Sequence, residues 1–362
     1  MHSGNTMLRF KLKKILVIQQ KMIGDVLAGT VICRAIKEKF PDCEVHYMIQ
    51  PQTKAVVDGN PFVDKTIIFD PAGSKGLFGL MDFGKKLRVE KYDAVIDAYG
   101  KWESIIPAWK SGAKVRIGFR KWYTSFFYTK TVEPKDNIPG SAIYHRLQLA
   151  EVFTGKISDI IFPQIYLSES EIKEAKNNIS QAGLDQQPLL MISVMGSSTS
   201  KSLPPQQMAE TLNIIASEGN MKLLFNFMPN QKAEAEEIFN FCAAETREKI
   251  LFDFPIKGLR PFLAVLSQCD ALIGNEGGAV NMSKALGIPT FTIFSPWINK
   301  SSWDMLTDTD NHVAVHLNDY FPEIYQEKHP KKLKNRSAEL YQKLIPQLYR
   351  EQLQAFTSKF IR

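Results

Sequence analysis

The sequence lacks the features that define several classes of protein. No apolar run approaches the length that spans a lipid bilayer, which argues against a transmembrane protein. The four cysteines are scattered, with no Cys-x-x-Cys pair and no metal-ligand spacing to histidine, so we expect reduced core residues. Zinc-finger spacing and aromatic-basic RNA signatures are also absent, and the net charge of +7 does not by itself indicate nucleic acid.

The common nucleotide fingerprints are missing as well. The first loop, QKMIGD, contains neither Gly-x-Gly-x-x-Gly nor the lysine-serine pair of a Walker A motif, which argues against a dehydrogenase or a P-loop enzyme. No Asp-x-Asp signature stands in QKMIGD, DAYGKWES, MGSSTSKSLP or GNEGGAVN, the loops that follow predicted strands. We therefore expect neither a metal site nor a cofactor.

The two ends of the chain carry basic stretches. Near the start, basic residues precede an apolar run of only four residues, 15–18, and no small-residue cleavage site follows. This pattern predicts a first β-strand rather than a signal peptide, so we expect a cytoplasmic protein. The stretch KHPKKLKNR near the end has two open interpretations, a solvated surface or contact with an anionic membrane.

Short β-branched runs alternate with helical patterns in two separate series, which is typical of parallel sheets. The first series extends from residues 15–19 to 114–119, and the second from 189–196 to 289–295. A chain of 362 residues is also too long for one ordinary core. The sequence therefore predicts an α/β fold with two Rossmann-like domains.

The domain boundary falls in the polar segment 165–187. We predict an N-terminal domain over residues 1–170 and a C-terminal domain over 171–330. The remaining residues, 331–362, have a helical pattern whose spaced apolar positions predict packing on the domains. These positions are Leu340, Leu344, Leu348, Leu353 and Phe356.

Ligands of open parallel sheets bind beyond the carboxyl ends of the strands, so the loops after the predicted strands are the candidate sites. In QKMIGD, Gly24 lets the backbone turn tightly or approach a ligand. Asp25 stands at the start of the next helix, where two partly compatible roles are open. It is a helix cap, or it is a carboxylate that the positive helix end keeps ionised and ready to accept a proton.

Two further loops could bind a phosphorylated ligand. Gly277 and Gly278 open a helix whose free N–H groups suit phosphate, although a tight strand-to-helix turn would need the same glycines. Glu276 would repel a diphosphate, so we expect it to face ribose hydroxyls or a base. The second loop, GSSTSKSLP, offers the hydroxyls of Ser197 and Ser198 and the charge of Lys201, but serine-rich loops with one lysine are common.

Basic residues cluster with aromatic residues in later loops of the N-terminal domain. Each of them is more often a surface or core residue than a ligand. As a group they suit an anionic sugar or a phosphate at a membrane surface. The candidates for acceptor binding are Lys101, Arg120 and Lys121, together with Gly24, and Arg116, Trp102, Trp122 and Tyr123 lie nearby in sequence.

Together these segments resemble glycosyltransferase family 9, the heptosyltransferases that build the inner core of lipopolysaccharide. ILVIQQKMIGDVLAGTVICRAIKEKFPDCEVHYMI is similar to the family's opening strand, its (x)GD loop and the following helix. YDAVIDAYGKWESIIPAWKSGAKVRIGF, GSSTSKSLP and GNEGGAVNMSKALGIPTFTIFSP resemble three further segments, of which the last is the most specific. The resemblance covers most of the chain.

The resemblance implies a GT-B fold, with the parallel sheets of two Rossmann-like domains facing a central cleft. The N-terminal domain would bind the acceptor and the C-terminal domain the nucleotide-sugar. It further implies an inverting, metal-independent transfer, with ADP-heptose as the favoured donor and an anionic, Kdo-containing glycolipid as the acceptor. Peripheral contact with the inner membrane would follow from such an acceptor. Asp25 corresponds to the family's catalytic carboxylate, Lys201 to its phosphate-contacting lysine, and Gly277, Gly278 and Asn281 to its diphosphate-binding turn.

Several positions depart from the family pattern. Glu276 stands where the family has Asp, Gly277 where it has Ser or Thr, Asn281 where it has His, and Leu203 where it has Trp. These changes affect donor contacts more than reaction type. A transferase that uses another nucleotide-sugar in surface polysaccharide assembly therefore stays open, as does a non-catalytic nucleotide-sugar-binding protein, although a binding protein would need no carboxylate on the acceptor side.

Overall fold

The chain folds as two compact units, the first ending at Tyr166 and the second beginning at Leu167. Each unit contains one parallel sheet with helices packed on it. The N-terminal basic residues before Leu12, and Lys328 and His329 of the C-terminal basic stretch, lie outside the described residues. The structure, a computed structural model, describes residues 12–135, 140–159, 161–304, 311–326 and 330–360.

The first unit is built on six parallel strands. They are β1 (Lys14–Ile18), β2 (Glu44–Ile49), β3 (Lys65–Ile68), β4 (Ala94–Asp97), β5 (Val115–Phe119) and β6 (Lys130–Val132). The helices are α1 (Ile23–Lys39), α2 (Gly76–Arg88), α3 (Trp102–Lys110) and α4 (Ser141–Thr154). The strand order is β3-β2-β1-β4-β5-β6, so the loops that follow β1, β4 and β5 are neighbours at one edge of the sheet.

The composition of these strands follows from their position in the sheet. β1 and β4 are almost completely buried, because helices cover both faces of a parallel sheet and leave no polar face. The edge strands β3 and β6 begin with Lys65 and Lys130, and lysine at an edge discourages pairing with another chain. The sequence pattern did not reveal β6, since a run of three residues carries too little periodicity.

The second unit repeats the arrangement. Its strands are β7 (Leu189–Ser193), β8 (Lys222–Asn226), β9 (Ile250–Leu251), β10 (Ala271–Asn275), β11 (Thr290–Ile293) and β12 (His312–Val315), in the order β12-β11-β10-β7-β8-β9. Its helices are α5 (Glu169–Gln181), α6 (Pro205–Ser217), α7 (Lys232–Phe241), α8 (Ala244–Arg247), α9 (Leu259–Leu266), α10 (Gly278–Ala285), α11 (Lys300–Trp303), α12 (Ser337–Lys343) and α13 (Arg350–Thr357). The predicted α/β class with two parallel sheets is confirmed.

The polar helix α5 is fastened to the second unit by an ion pair. The Arg260 guanidinium of α9 holds the Glu171 carboxylate with an Nε–Oε1 distance of 2.7 Å. Its hydrogen bonds lower the pKa of Glu171 to about 2, so the carboxylate is ionised at neutral pH. Ser168 caps the helix by accepting a hydrogen bond from the Glu171 backbone N–H. The polar helix that precedes the second sheet therefore belongs structurally to the second unit.

The C-terminal segment completes the core of the second unit rather than forming one continuous helix. Pro346 separates α12 from α13, because proline cannot donate the backbone hydrogen bond that a helix interior needs. Leu340, Leu344, Leu353 and Phe356 are buried in the same apolar cluster as the strands β7 and β10, and Leu348 packs against that cluster.

Two expectations from the sequence concern the cysteines and the length of apolar helices. All four cysteines are buried and unpaired, as predicted, and burial raises the pKa of the Cys242 thiol to about 11. Among the described residues, no helix combines the length and apolarity that a bilayer-spanning helix needs.

Replacing Leu353 by Ala should lower the free energy of unfolding by about 2–5 kcal/mol, since it removes a fully buried side chain. Glu351→Ala, an exposed change on the same helix, is the matched control and should leave stability nearly unchanged. Urea unfolding followed by circular dichroism measures both. Equal stabilities of the two variants would show that the C-terminal segment is not part of the core.

Candidate active site

Asp25 lies in the first turn of α1, at the carboxyl edge of the first sheet. Met22, not Asp25, is the N-cap residue, so the helix-cap interpretation is wrong. As the third helical residue, Asp25 still lies within the turn where the helix dipole favours negative charge. Its side chain is nearly buried, with 10% of its surface exposed. Gly24 has helical backbone and no positive φ, so the tight-turn explanation of this glycine is wrong too, and its approach to a ligand stays a prediction.

A buried arginine that the sequence analysis missed contacts Asp25. Arg146 of α4 donates from Nη2 to Asp25 Oδ1 at 2.8 Å, and the Lys21 ammonium lies 3.5 Å from the same oxygen. Arg146 also donates to the carbonyl of Ala142 in its own helix. Its Nε–H, although buried, has no hydrogen-bond partner within the described part of the chain. α4 thus brings a fixed cation and a spare donor to the candidate base.

The residues before Asp25 present unpaired polar atoms. Gln20 is 1% exposed, and neither its amide nitrogen nor its carbonyl oxygen has a partner among the residues described. Its neighbour Gln19 donates to the Ala98 carbonyl at 3.3 Å, which connects the loop after β1 to the loop after β4. Buried polar groups are rarely left unpaired, so the site around Gln20 suits a polar ligand or ordered water.

A buried carboxylate shapes the loop after β4. Asp97 accepts hydrogen bonds from the backbone N–H groups of Tyr99 and Gly100 at 2.9 and 2.8 Å, and from the hydroxyls of Ser104 and Tyr128 at 2.7 and 2.8 Å. Burial raises the pKa of Asp97 while these four bonds oppose the rise. Asp97 therefore acts as the structural anchor of the loop that carries Lys101.

Two of the predicted acceptor residues meet in these loops. Lys121 donates from Nζ to the Gly100 carbonyl at 2.7 Å, next to Lys101, whose ammonium lies 5.5 Å from the centre of the Tyr99 ring. Arg120 is different, because its guanidinium pairs with Glu133 at 2.9 Å on an exposed surface. The structure therefore brings Lys101 and Lys121 together and leaves Arg120 engaged elsewhere.

In the second unit, Asn275 connects the two predicted phosphate-binding loops. Its amide nitrogen donates to the carbonyls of Ser193 and Val194 at 3.2 and 2.7 Å, and its oxygen accepts from the Leu203 backbone N–H at 2.8 Å. The preceding Gly274 allows this close approach, because a Cβ there would lie 2.3 Å from the Ser193 carbonyl oxygen. Asn275 is completely buried and fixes the end of the serine-rich loop beside β10.

Two residues that follow β11 also donate hydrogen bonds to the serine-rich loop. The carbonyl of Ser200 accepts from the Ser295 hydroxyl at 2.8 Å and from the Trp297 indole N–H at 2.7 Å. Ser197 and Ser198 remain exposed, and the Ser198 hydroxyl lies 3.1 Å from that of Ser200. The loop is therefore rigid at its backbone while its hydroxyls face outward.

Lys201 and Glu276 form an ion pair in this structure. Lys201 Nζ lies 3.1 Å from Glu276 Oε1, and the two side chains are 26% and 11% exposed. The sequence predicts that Glu276 faces ribose hydroxyls or a base, and it gives no signal for this contact with the lysine. The Lys201 ammonium also lies 5.6 Å from the centre of the Trp297 ring. The Lys334 ammonium, from the C-terminal basic stretch, lies 5.2 Å from the centre of the same ring.

The N-terminus of α10 is open. Gly277 is its N-cap residue and offers no side chain to bond the free N–H groups of the first turn. A Cβ added at Gly277 or Gly278 would meet nothing within 4 Å, so both glycines border open space. Asn281 follows within the helix, half-buried. Backbone N–H groups, the helix dipole and a nearby lysine together make a site suited to an anionic group such as phosphate.

The described residues contain no group of three or more His, Cys, Asp or Glu side chains placed to hold a metal ion.

A family model and a curated relative each match most of the chain. The family model described as glycosyltransferase family 9 (heptosyltransferase) matches residues 80–333. Lipopolysaccharide heptosyltransferase 1 of Campylobacter coli is 22% identical over 295 residues, which cover 78% of this chain and 83% of that protein.

Two solved structures share the fold. A glycosyl transferase of family 9 from Veillonella parvula superposes with a TM-score of 0.75 at 18% identity, covering 93% of this chain and 99% of the other. The Escherichia coli ADP-heptose lipopolysaccharide heptosyltransferase II gives a TM-score of 0.68 at 17% identity, covering 91% and 99%. The GT-B fold implied by the sequence is confirmed, and the chain belongs to glycosyltransferase family 9, the heptosyltransferase family.

Proposed function

We propose that this glycosyltransferase moves a heptose from ADP-heptose to a core acceptor of lipopolysaccharide, with inversion at the anomeric carbon and without a metal ion. One observation carries the proposal. A buried carboxylate with a paired arginine stands at the carboxyl edge of one sheet, and a lysine beside an open helix N-terminus stands at that of the other. The names of the matched relatives support the sugar and the acceptor.

The base in this proposal is Asp25. Its carboxylate removes the proton from an acceptor hydroxyl, and the oxygen then attacks the anomeric carbon while the nucleoside diphosphate leaves. Attack on the face opposite the leaving group inverts the configuration. Arg146 acts as a positioning residue, because its bond to Oδ1 fixes the carboxylate and leaves the second oxygen, Oδ2, for the acceptor.

The leaving group is stabilised in the second unit. Negative charge grows on the diphosphate as the glycosidic bond breaks, and Lys201 with the N–H groups at Gly277 and Gly278 is placed to receive it. The exposed hydroxyls of Ser197 and Ser198 could donate to further phosphate oxygens. These groups do the work that a divalent cation does in metal-dependent transferases.

Before Lys201 can bind the diphosphate, its ion pair with Glu276 must break, or the ammonium must bind the carboxylate and the phosphate together. An ammonium has three donors, so sharing is possible in geometry, but the carboxylate repels the diphosphate. Binding of the diphosphate would be strongest if Glu276 turned away, towards the ribose hydroxyls or the base.

The acceptor is bound by the first unit in this proposal. Lys101 and Lys121 lie in neighbouring loops at the edge that holds Asp25, where they suit a carboxylate or phosphate of an anionic glycolipid. Gly24 and the unpaired Gln20 amide border the same turn. Arg120 contributes only if its pair with Glu133 opens. The protein would act in the cytoplasm, with peripheral contact at the inner membrane.

A transferase with a different nucleotide-sugar is the second candidate. The observation that favours it is the Lys201–Glu276 pair, because it changes the charge at the expected diphosphate position. Glu276, Gly277 and Asn281 all depart from the family pattern there. The base and the leaving-group site would serve that reaction equally.

Replacing Asp25 by Asn should lower kcat about a thousandfold while donor binding stays unchanged, because the amide keeps the shape but cannot accept the proton. Asp42→Asn, an exposed change beyond the far end of α1, is the matched control. Transfer is measured by release of ADP in the presence of acceptor. Turnover of the Asp25 variant at the control rate would refute its role as the base.

The role of Arg146 has a separate test. Arg146→Met should lower kcat with little change in the Kd of the donor, and Arg146→Lys, which keeps the charge, should recover part of the loss. An unaltered kcat in the Met variant, provided that it folds, would remove Arg146 from the mechanism.

Calorimetric titration with ADP distinguishes the contributions of Lys201 and Glu276 to donor binding. Lys201→Met should weaken ADP binding about tenfold or more, because it removes a charged hydrogen bond to phosphate. Glu276→Gln should strengthen binding, because the lysine is released and the repulsion is removed. Lys176→Met, an exposed change on α5, is the control and should bind as the unaltered protein does.

Two outcomes would contradict this account. Weaker binding of ADP by the Glu276→Gln variant would mean that the Glu276 carboxylate contributes more to ADP binding than its competition for Lys201 costs. Unchanged binding by the Lys201→Met variant would place the diphosphate elsewhere.

A further inference from the structure

The first unit exposes large apolar side chains in three segments that are close to one another. One segment opens α2, one is α3, and one is the loop after β5. Phe78, Trp122 and Phe126 are 83%, 92% and 75% exposed. We call the whole set the aromatic patch, which consists of Leu77, Phe78, Trp102, Trp109, Trp122, Tyr123 and Phe126.

The aromatic patch is continuous. The half-buried Phe127 lies at its centre, 5.7 Å from the ring of Trp102, 5.7 Å from that of Trp109 and 4.1 Å from that of Phe126. Tyr123 extends it from Trp102 to Trp122, with ring centres 6.5 and 5.5 Å apart. The rings of α3 and of the loop after β5 therefore form one surface, and Phe78 is exposed in the first turn of α2, next to Leu77.

An apolar groove joins this surface to the start of α2. The groove has a volume of about 630 Å³, and its walls include Leu77, Leu80, Trp102, Ile106 and Phe127. Scattered apolar side chains on a surface need no explanation, but a contiguous apolar patch marks a surface that binds something.

Positive charge predominates around the aromatic patch. Residues 98–130 contain seven basic residues and one acidic residue, Glu103. Lys101 directly precedes Trp102, Lys121 precedes Trp122, and the Lys110 ammonium lies 4.0 Å from the centre of the Trp109 ring. Lys75 is exposed beside Leu77. Aromatic rings interleaved with lysine are the composition of surfaces that lie in the interface of an anionic bilayer.

The patch also lies on the catalytic side of the first sheet. Phe78 and Trp102 stand in the first turns of α2 and α3, and Trp122 follows β5, so all three lie near carboxyl ends of strands. Asp25 follows β1 at the same edge, and β4 separates β1 from β5 in the sheet. Part of the patch and the candidate base therefore lie towards the same edge of the sheet.

We propose that the aromatic patch is a membrane-docking surface, which seats the first unit on an anionic lipid bilayer with the aromatic rings in the interface and the lysines on the lipid phosphates. The inference rests on the proposed function for its purpose, since a lipid-linked acceptor would then meet Asp25 at the bilayer surface. It assigns membrane contact to the first unit, whereas the C-terminal basic stretch places Lys334 against Trp297 in the second.

The test is sedimentation of the full-length protein with vesicles that contain no acceptor. Vesicles of phosphatidylglycerol and phosphatidylethanolamine should bind the protein, and vesicles of phosphatidylcholine should bind it far less. Higher salt should weaken binding, because each lysine near an anionic surface contributes about fivefold to the partition constant. Phe78→Ser combined with Phe126→Ser should lower the partition constant about tenfold, since the loss scales with buried apolar area.

Val89→Ser combined with Phe241→Ser is the matched control. It removes two exposed apolar side chains that lie outside the patch, Val89 at the opposite end of α2 and Phe241 in the second unit. This control should bind vesicles as the unaltered protein does. An equal loss of vesicle binding in the two double variants would refute the assignment of membrane docking to the aromatic patch.

Insertion is measured separately by tryptophan fluorescence. Trp122 is almost fully exposed, so if the patch enters the interface, lipids brominated on the acyl chains should quench the emission of the unaltered protein more than that of a Trp122→Phe variant. Vesicle binding without quenching would overturn the proposal.

Sedimentation equilibrium should show the same oligomeric state for the protein and its Phe78/Phe126 variant. A dimer that only this variant disrupts would make the patch an interface between two copies instead.

The inference and the proposed function can fail independently. On a deacylated, water-soluble acceptor, the Phe78/Phe126 variant should transfer sugar at the rate of the unaltered protein, because neither residue contacts the proposed substrates. Vesicle binding that depends on the patch would uphold the docking surface even if no sugar were transferred. Transfer with patch-independent vesicle binding would uphold the function and overturn the docking surface.

Discussion

Parallel strand pairing is the constraint on which the rest of the structure depends. In a parallel sheet every strand ends at the same edge, so loops far apart in sequence become neighbours there. The residues after β1, β4 and β5 share one such edge, and those after β7 and β10 share the other. One edge brings together a carboxylate and nearby cations, and the other a lysine and an open helix end, which are the groups that the proposed transfer would use.

The two groups to which the proposed mechanism gives a chemical role are each paired with an opposite charge. Asp25 is paired with Arg146, and Lys201 is paired with Glu276. A buried charge is costly without a partner, so the Arg146 pair allows Asp25 to remain charged in a nearly buried position. In the proposed mechanism Arg146 leaves one Asp25 oxygen for the acceptor, whereas Glu276 would compete with the phosphate for Lys201.

Much of the fold could be predicted from the sequence, because apolar periodicity is local and survives in each strand and helix of the two series. The short strands β6 and β12 gave no such signal, and Pro346 interrupts a C-terminal pattern that otherwise suggests a continuous helix. The open helix end at Gly277 and Gly278 was predictable, because its motif lies within one loop. Arg146 was not, because it meets Asp25 across 121 residues of sequence and only the packing of α4 on α1 brings them together.

The most direct test of the central claim is turnover of a panel of nucleotide-sugars by the full-length protein, with Kdo-containing lipid A and core-truncated lipopolysaccharides as acceptors and product stereochemistry determined by NMR. The account predicts transfer from ADP-heptose, with inversion and in the presence of a metal chelator. Transfer from another nucleotide-sugar and none from ADP-heptose would contradict the proposed donor, and retention of configuration would contradict the role of Asp25 as a base in a single displacement.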